Sequence, residues 1–524
     1  MMSRVLLAAV VAMASPALGF HHGLPLHGAV GAGRAPLAAA VSRARPAARG
    51  GGTGVRMMAD GTMPNKKVVV TGLGCLSSVG NGADEFFPNL FDGKIGPTKL
   101  PAWADDFPCN VAGQLDGFAP ADWYANKKEA KRQSRYMNMC VASSKLGMAD
   151  AKLDKDGIAD KARFGIFVGS AIGGSEFYEE ASKKWSAHSE YGTVAKGAAW
   201  GDASFGGREG VYKGPEHLEG SKFTFEGFKK ISPFIVPSFI MNSGSGVAAV
   251  EVDAQGPNYC IGGYGGEGAG GAMSIGQAHR FLSTGECDVF IAGGSEAFLT
   301  PAMMAGFNQL KHLATGDAPV TAPFSSKAAG YLVGEAAGVL VLETQDHATK
   351  RGADPYCMLA GFGSSHEVVM DEELGLCAMP TPSAVAQAVK MALKQANVKP
   401  EDVGYVCAHG SGIIAHDRAE AEGIKMVFGD RASKGGGLVV SGIKGQTGNC
   451  VSASAGLEAA VCAYAIKHGK VPGTVTNDSP DTESGLDLDC LAGKKSSDIK
   501  DLKVAVSLNM ALGGQATALV FTKC

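Results

Sequence analysis

The chain has 524 residues, 45% of them hydrophobic and 19% charged, which is long enough for two packed halves. Its first 58 residues hold six Arg, no Lys and no acid, so the remainder carries 42 basic against 51 acidic residues. That net charge of −9 argues against a nucleic-acid binder, and no apolar run past the leader approaches the roughly 18–20 residues of a membrane span.

Residues 1–58 read as a plastid-type bipartite targeting leader. Arg4 precedes an apolar core at 5–18 that ends in small residues, and Phe20 then opens an acid-free Ala/Arg/Gly stretch. A Phe after the signal core resembles leaders of plastids acquired by secondary endosymbiosis, which predicts residence in a plastid stroma. The other reading is a secretory signal followed by a disordered linker. Twelve cysteines are scattered singly with no C-x-x-C spacing, the pattern of buried thiols in a reducing compartment. No metal site is expected from them.

The mature part begins with Lys66-Lys67-Val68-Val69-Val70-Thr71-Gly72-Leu73-Gly74, a predicted strand running into a glycine turn. Further strand-like runs lie at 164–168, 288–296, 337–342, 403–406, 437–440 and 504–507. Between 174 and 230 comes a Gly- and charge-rich stretch with Trp185, Trp200, Tyr212, Phe223, Phe225 and Phe228. It reads as an insertion at 175–229, either structureless or, since dense aromatics are poor disorder formers, a folded contact surface. From 256 to 282 the rhythm is strand, glycine turn, buried helix. Thr381-Pro382 caps and opens a helix whose apolar face is Ala384, Val385, Ala388, Val389, Ala392 and Leu393. The alternation predicts an α/β fold with mainly parallel sheets. Gly266-Glu267-Gly268-Ala269-Gly270-Gly271 satisfies G-x-G-x-x-G, but Asp288 begins a strand where a dinucleotide site needs an acid that ends one. No cofactor is therefore expected.

Several short motifs recur in order as they do in β-ketoacyl-acyl-carrier-protein synthases. They are Val70-Thr71-Gly72-Leu73-Gly74, Lys230-Ile231-Ser232-Pro233-Phe234, Ala292-Gly293-Gly294-Ser295-Glu296, the run 403–410, and Leu512-Gly513-Gly514. From about residue 66 onward the chain resembles that family, part of the thiolase superfamily. The resemblance implies a thiolase-like five-layered α-β-α-β-α sandwich of two pseudo-repeated halves, 66–353 and 354–524. It also implies a homodimer, or a heterodimer with an active ketoacyl synthase, handling an acyl-carrier protein or acyl thioester.

A condensing site needs a thiolate to hold the acyl chain, backbone donors for an oxyanion, and donors that polarise the malonyl thioester. By resemblance a Cys should stand at a helix N-terminus, where the dipole favours thiolate. Counting back from Ile275-Gly276-Gln277-Ala278 reaches Gly268, and counting forward from Gly256-Pro257 reaches Gly265. Neither is Cys, and neither Cys260 nor Cys450 stands at the helix start. Glu267-Gly268-Ala269-Gly270-Gly271 resembles the chain-length factors of aromatic polyketide systems, where Gln replaces Cys within E-Q-A-G-G.

The remaining site residues are carried by the same resemblance. His409 in Ala408-His409-Gly410-Ser411-Gly412 matches the family's first His, and Asn449 stands at the second, as in chain-initiating members. Asn also donates a hydrogen bond. Lys444 and Glu458 match the supporting pair. The family's R-P-F-D-x-x-R-D-G-F reads Ala322 to Tyr331 here, losing two Arg and two Asp. The gating G-F-G-G-T-N reads Ala511-Leu512-Gly513-Gly514-Gln515-Ala516, so the implied oxyanion donors are the N–H groups of Gly268 and Leu512. The expectation is a condensation-inactive, chain-length-factor-like partner that shapes an acyl tunnel or binds carrier protein. The alternatives are a residual enzyme (malonyl decarboxylation, acyl transfer or 3-oxoacyl synthesis) and a structural pseudoenzyme docked through 175–229 into a larger plastid complex.

Overall fold

Runs such as Val289-Phe290-Ile291-Ala292 and Val339-Leu340-Val341-Leu342 lack polar alternation, so a strand made of them needs cover on both faces. The computed structural model describes residues 65–187, 231–262, 268–316, 318–370, 378–482 and 487–524. The leader, Gly265 and the part of the 175–229 segment beyond Ala187 lie outside them.

Ten strands run across the main sheet: β1 (Val68–Ser77), β2 (Phe164–Gly169), β3 (Asn258–Tyr259), β4 (Val289–Glu296) and β5 (Ala336–Thr344), then β6 (Cys357–His366), β7 (Tyr405–Cys407), β8 (Val439–Ser441), β9 (Val504–Ala511) and β10 (Gln515–Thr522), with the short strand Gly80–Asn81 paired to β1 off that path. Their order is β8-β7-β9-β10-β6-β1-β5-β4-β2-β3. Reading inward from each edge gives third, second, fourth, fifth and first strand of each set, the same topology twice. The two sets meet where Val68, Val69 and Val70 of β1 pair with Leu359, Met358 and Cys357 of β6.

Helices complete five layers. The ones used below are α1 (Arg135–Asp150), α2 (Ser175–Ala187), α3 (Ser243–Val252), α4 (Gly270–Ser283), α5 (Pro382–Ala396), α6 (Ile414–Phe428) and α7 (Ser452–His468). α1 and α3 cover the outer face of the first strand set; α5, with α6 upon it, covers the outer face of the second. α4 and α7 lie between the two sets. α7 is accordingly apolar on nearly every side, with only Tyr464, Lys467 and His468 short of full burial. Its close approach to β5 requires glycine: a Cβ on Gly456 would stand 1.9 Å from the Gly338 carbonyl oxygen.

The helix foreseen after Thr381 forms as α5, its Thr381 Oγ1 accepting the Ala384 N–H at 3.1 Å. Such a cap is worth about 1 kcal/mol. The expectation of mainly parallel sheets is corrected. β2 is parallel to β3 and β4, and β7 to β8 and β9, but β5 runs antiparallel to β4 and β1. β10 likewise runs antiparallel to β9 and β6. The cause is local at β9–β10, where Gly513 (φ 97°) and Gly514 (φ 83°) turn the chain straight back on itself. No helix among the described residues is long and apolar enough to cross a membrane.

Candidate functional site

β7 ends at Cys407, and the loop beyond it is gripped by two carboxylates of α6. Glu420 accepts the N–H of His409 at 2.7 Å and of Gly410 at 2.8 Å. Asp417 accepts the N–H and the hydroxyl of Ser411 at 2.8 and 2.9 Å, and the Phe324 N–H at 2.8 Å. Backbone donors at a buried strand end need such partners. Their direction fixes the loop and, with it, the His409 ring.

Behind that ring lies a buried ion pair. Lys444 Nζ donates to Glu458 Oε1 at 2.5 Å and to the His409 carbonyl at 2.6 Å, and stands 3.3 Å from His409 Nδ1. Asn509 Nδ2 donates to the other Glu458 oxygen. Burial pushes the Glu458 carboxyl up to about 7, against the pull of the Lys444 ammonium. Burial, and then the Lys444 charge, hold His409 well below the usual imidazole range. A neutral imidazole whose Nδ1 faces an ammonium carries its proton on Nε2. His409 is thus set as a donor towards the site and not as a base.

His409 and Asn449 line one recess together with Gly268 and Leu512, so the residues singled out from sequence converge. Asn449 Oδ1 accepts the Val451 N–H at 3.0 Å, which leaves its Nδ2 donors for the recess. That bond also holds Val451 at φ 51° and ψ −124°, an unfavourable conformation for a β-branched residue. The recess measures about 20 Å³, room for about one water.

Gly268 stands just before Ala269, the N-cap of α4, with φ +71°. A Cβ there would point at His409 Cε1, 3.0 Å away, and would collide with the Met510 carbonyl oxygen at 2.0 Å. The group facing this expected nucleophile position is therefore a backbone acceptor, in a space too small for a side chain. Neither Cys450 nor Cys260 offers a substitute. Cys450 is fully buried, its Sγ 3.6 Å from the carbonyls of Thr447 and Gly448, and burial pushes its pKa up. Burial pushes the Cys260 thiol up to about 11. Asp288, the acid of the glycine-motif decoy, is spent on Arg163, which donates to it at 2.6 and 2.9 Å.

Three residues of the recess escaped the sequence reading: His312, His416 and Met510. The His312 and His416 rings meet edge to face at 5.5 Å. His416 had a usable signal, lying seven residues past His409 in the first turn of α6. His312 had none, since it follows a helix far upstream.

This architecture, with its repeated strand order and a His–Lys–Glu chain behind a helix-start turn, is that of a ketoacyl synthase-like protein of the thiolase-like fold. The chain belongs to the beta-ketoacyl synthase family: the family's N-terminal domain matches residues 65–348 and its C-terminal domain residues 356–478. It is similar to 3-oxoacyl-(acyl-carrier-protein) synthase 2 of Staphylococcus aureus (strain N315), 32% identical over 470 residues, covering 88% of this chain and 99% of that protein. The enzyme of the same name from Synechocystis is 31% identical over 466 residues, with 88% and 99% covered. Among solved structures, a type II polyketide ketosynthase in complex with its acyl-carrier protein superposes with a TM-score of 0.71 at 26% identity, over 88% of this chain and 100% of that one. The ishigamide ketosynthase/chain length factor shares the fold with a TM-score of 0.70 at 24% identity and the same coverage.

Proposed function

We propose that this ketoacyl synthase-like chain forms no acyl-enzyme and acts as a partner subunit that binds an acyl thioester or its carrier protein. The observation that carries this reading is Gly268, which has no nucleophile and whose Cβ position is filled by the Met510 carbonyl. The likeness to a ketosynthase seen with its carrier protein supports that choice of partner. The edge strand β3, with Tyr259 exposed, supports pairing either with a second copy or with an active ketoacyl synthase. The acid-free, Arg-bearing leader supports a plastid location. The deciding experiment is incubation with acyl-carrier-protein thioester followed by intact mass. No adduct is expected, and a stoichiometric acyl group on any cysteine overturns the reading.

One observation favours a second reading. The neutral His409, aimed by Lys444 and Glu458, retains the donor needed to polarise a thioester carbonyl. Loss of carbon dioxide from a malonyl thioester requires that donor and no nucleophile. A slow malonyl decarboxylase is the activity such a site supports, and release of carbon dioxide from malonyl-carrier protein tests it.

A further inference from the structure

A second cavity, of about 260 Å³, opens at the start of α1 and α2, and neither the thioester site nor its partners account for it. One wall is apolar, with Leu100, Pro101, Leu299 and, on the rim, the half-exposed Trp103. The opposite wall carries Arg135, Glu335, Asp116 and Glu176. Arg135 is already committed: Nε and Nη2 each donate to Glu335 at 2.7 Å, and Nη2 also donates to the Leu115 carbonyl at 2.8 Å. Glu176 accepts the Arg135 backbone N–H through Oε1, while its Oε2 is buried with no hydrogen-bond partner. A buried carboxylate oxygen left without a donor is costly, and folded proteins seldom keep one without a use.

Charge and shape select the missing donor. Three carboxyl groups face one guanidinium that Glu335 already neutralises, so an anion would meet repulsion and a cation attraction. An aromatic rim attracts a cation further through its π face, and the apolar wall holds a hydrocarbon body. We propose that this cavity binds an organic primary ammonium, its –NH3+ donating to Glu176 Oε2 and its apolar body lying against Trp103 and Leu299. Burial pushes Glu176 up to about 7 in the empty site. Arg135 lowers it and Glu335 opposes, so the carboxyl must shed a proton to receive the cation once the pH falls below neutrality.

Isothermal titration of the purified chain with 2-phenylethylammonium, and separately with phenylacetate, tests this. Saturable binding of the ammonium is expected at pH 8, about tenfold weaker at pH 6, with phenylacetate much weaker. Glu176→Gln should weaken the ammonium about tenfold or more, and Trp103→Ala should weaken it without changing the pH dependence. The proposal fails if phenylacetate binds as tightly, if Glu176→Gln leaves the affinity unchanged, or if no saturable binding of the ammonium is seen. Should Glu176→Gln not fold, equal affinity of the unaltered chain at pH 6 and pH 8 defeats it alone.

Discussion

The α-carbon of Gly268 faces the carbonyl oxygen of Met510 so closely that a Cβ would stand 2.0 Å from it. The same glycine sits at φ +71°, where an L side chain is strained. Met510 lies on β9, immediately before the Ala511–Gln515 hairpin, and β9 is held along its whole length by β10. Absence of a side chain at Gly268 and closure of the space beside it are thus one feature of the backbone.

Reinstalling the thiol should fail for that reason. Gly268→Cys is expected to lose about 1–3 kcal/mol of stability and to gain no measurable condensation. Gly268→Ala should lose nearly as much, because the first carbon makes the collision. Urea unfolding of both variants, with acylation followed by mass, checks this; a stable, acylated Gly268→Cys would refute it.

His409→Ala addresses residual decarboxylation. Removal of one preorganised donor typically lowers such a rate about 10²–10³-fold. Turnover of malonyl-carrier protein that His409→Ala leaves intact would belong to another site or to a contaminant.

Lys444 and Glu458 should be strongly coupled in stability. Lys444→Met leaves the Glu458 carboxyl buried without its cation and should cost about 3–5 kcal/mol. Lys444→Met combined with Glu458→Met should cost less than the first change alone. A thermodynamic cycle from urea midpoints measures the coupling, and additive losses would contradict it.

Acid stability should depend on Glu343, the buried clamp between β5, β1 and the residues that follow β5. Burial alone would raise its pKa, but hydrogen bonds from Arg351, His347 and Thr71 outweigh that and bring it to about 2. Arg351 Nε and Nη2 lie 2.8 and 2.5 Å from its oxygens. A carboxyl depressed from 4.5 to about 2 contributes stability that is fully present above the unfolded value and lost as pH falls from about 4.5 towards 2. The contribution at neutral pH is about 3 kcal/mol. Glu343→Gln should remove that acid-side slope; an unchanged slope between pH 5 and pH 2 would show that other carboxylates dominate.

Much of the architecture was legible along the chain because burial writes itself locally. An apolar run such as 289–292 needs cover on both faces wherever it ends up, and Thr381-Pro382 starts a helix whatever packs on it. The strands β6 and β10 were less visible: Gly361 and Gly363 interrupt one, and pairing with β1, β9 and each other makes them strands. His409, Asn449, Lys444 and Glu458 could be picked out because the short motifs that hold them resemble those of the ketoacyl synthases. Whether Gly268 merely lacked a thiol or also lacked space for one could not be read there. That depended on Met510, over 200 residues later, bringing its carbonyl to the turn. His312 beside His416, and Glu176 opposite Trp103, are likewise meetings of distant segments. Residue type and period determine which side chains are buried and which turns form. Which of those turns face each other, and at what distance, is decided by the packing of α4 and α7 between the two sets of strands.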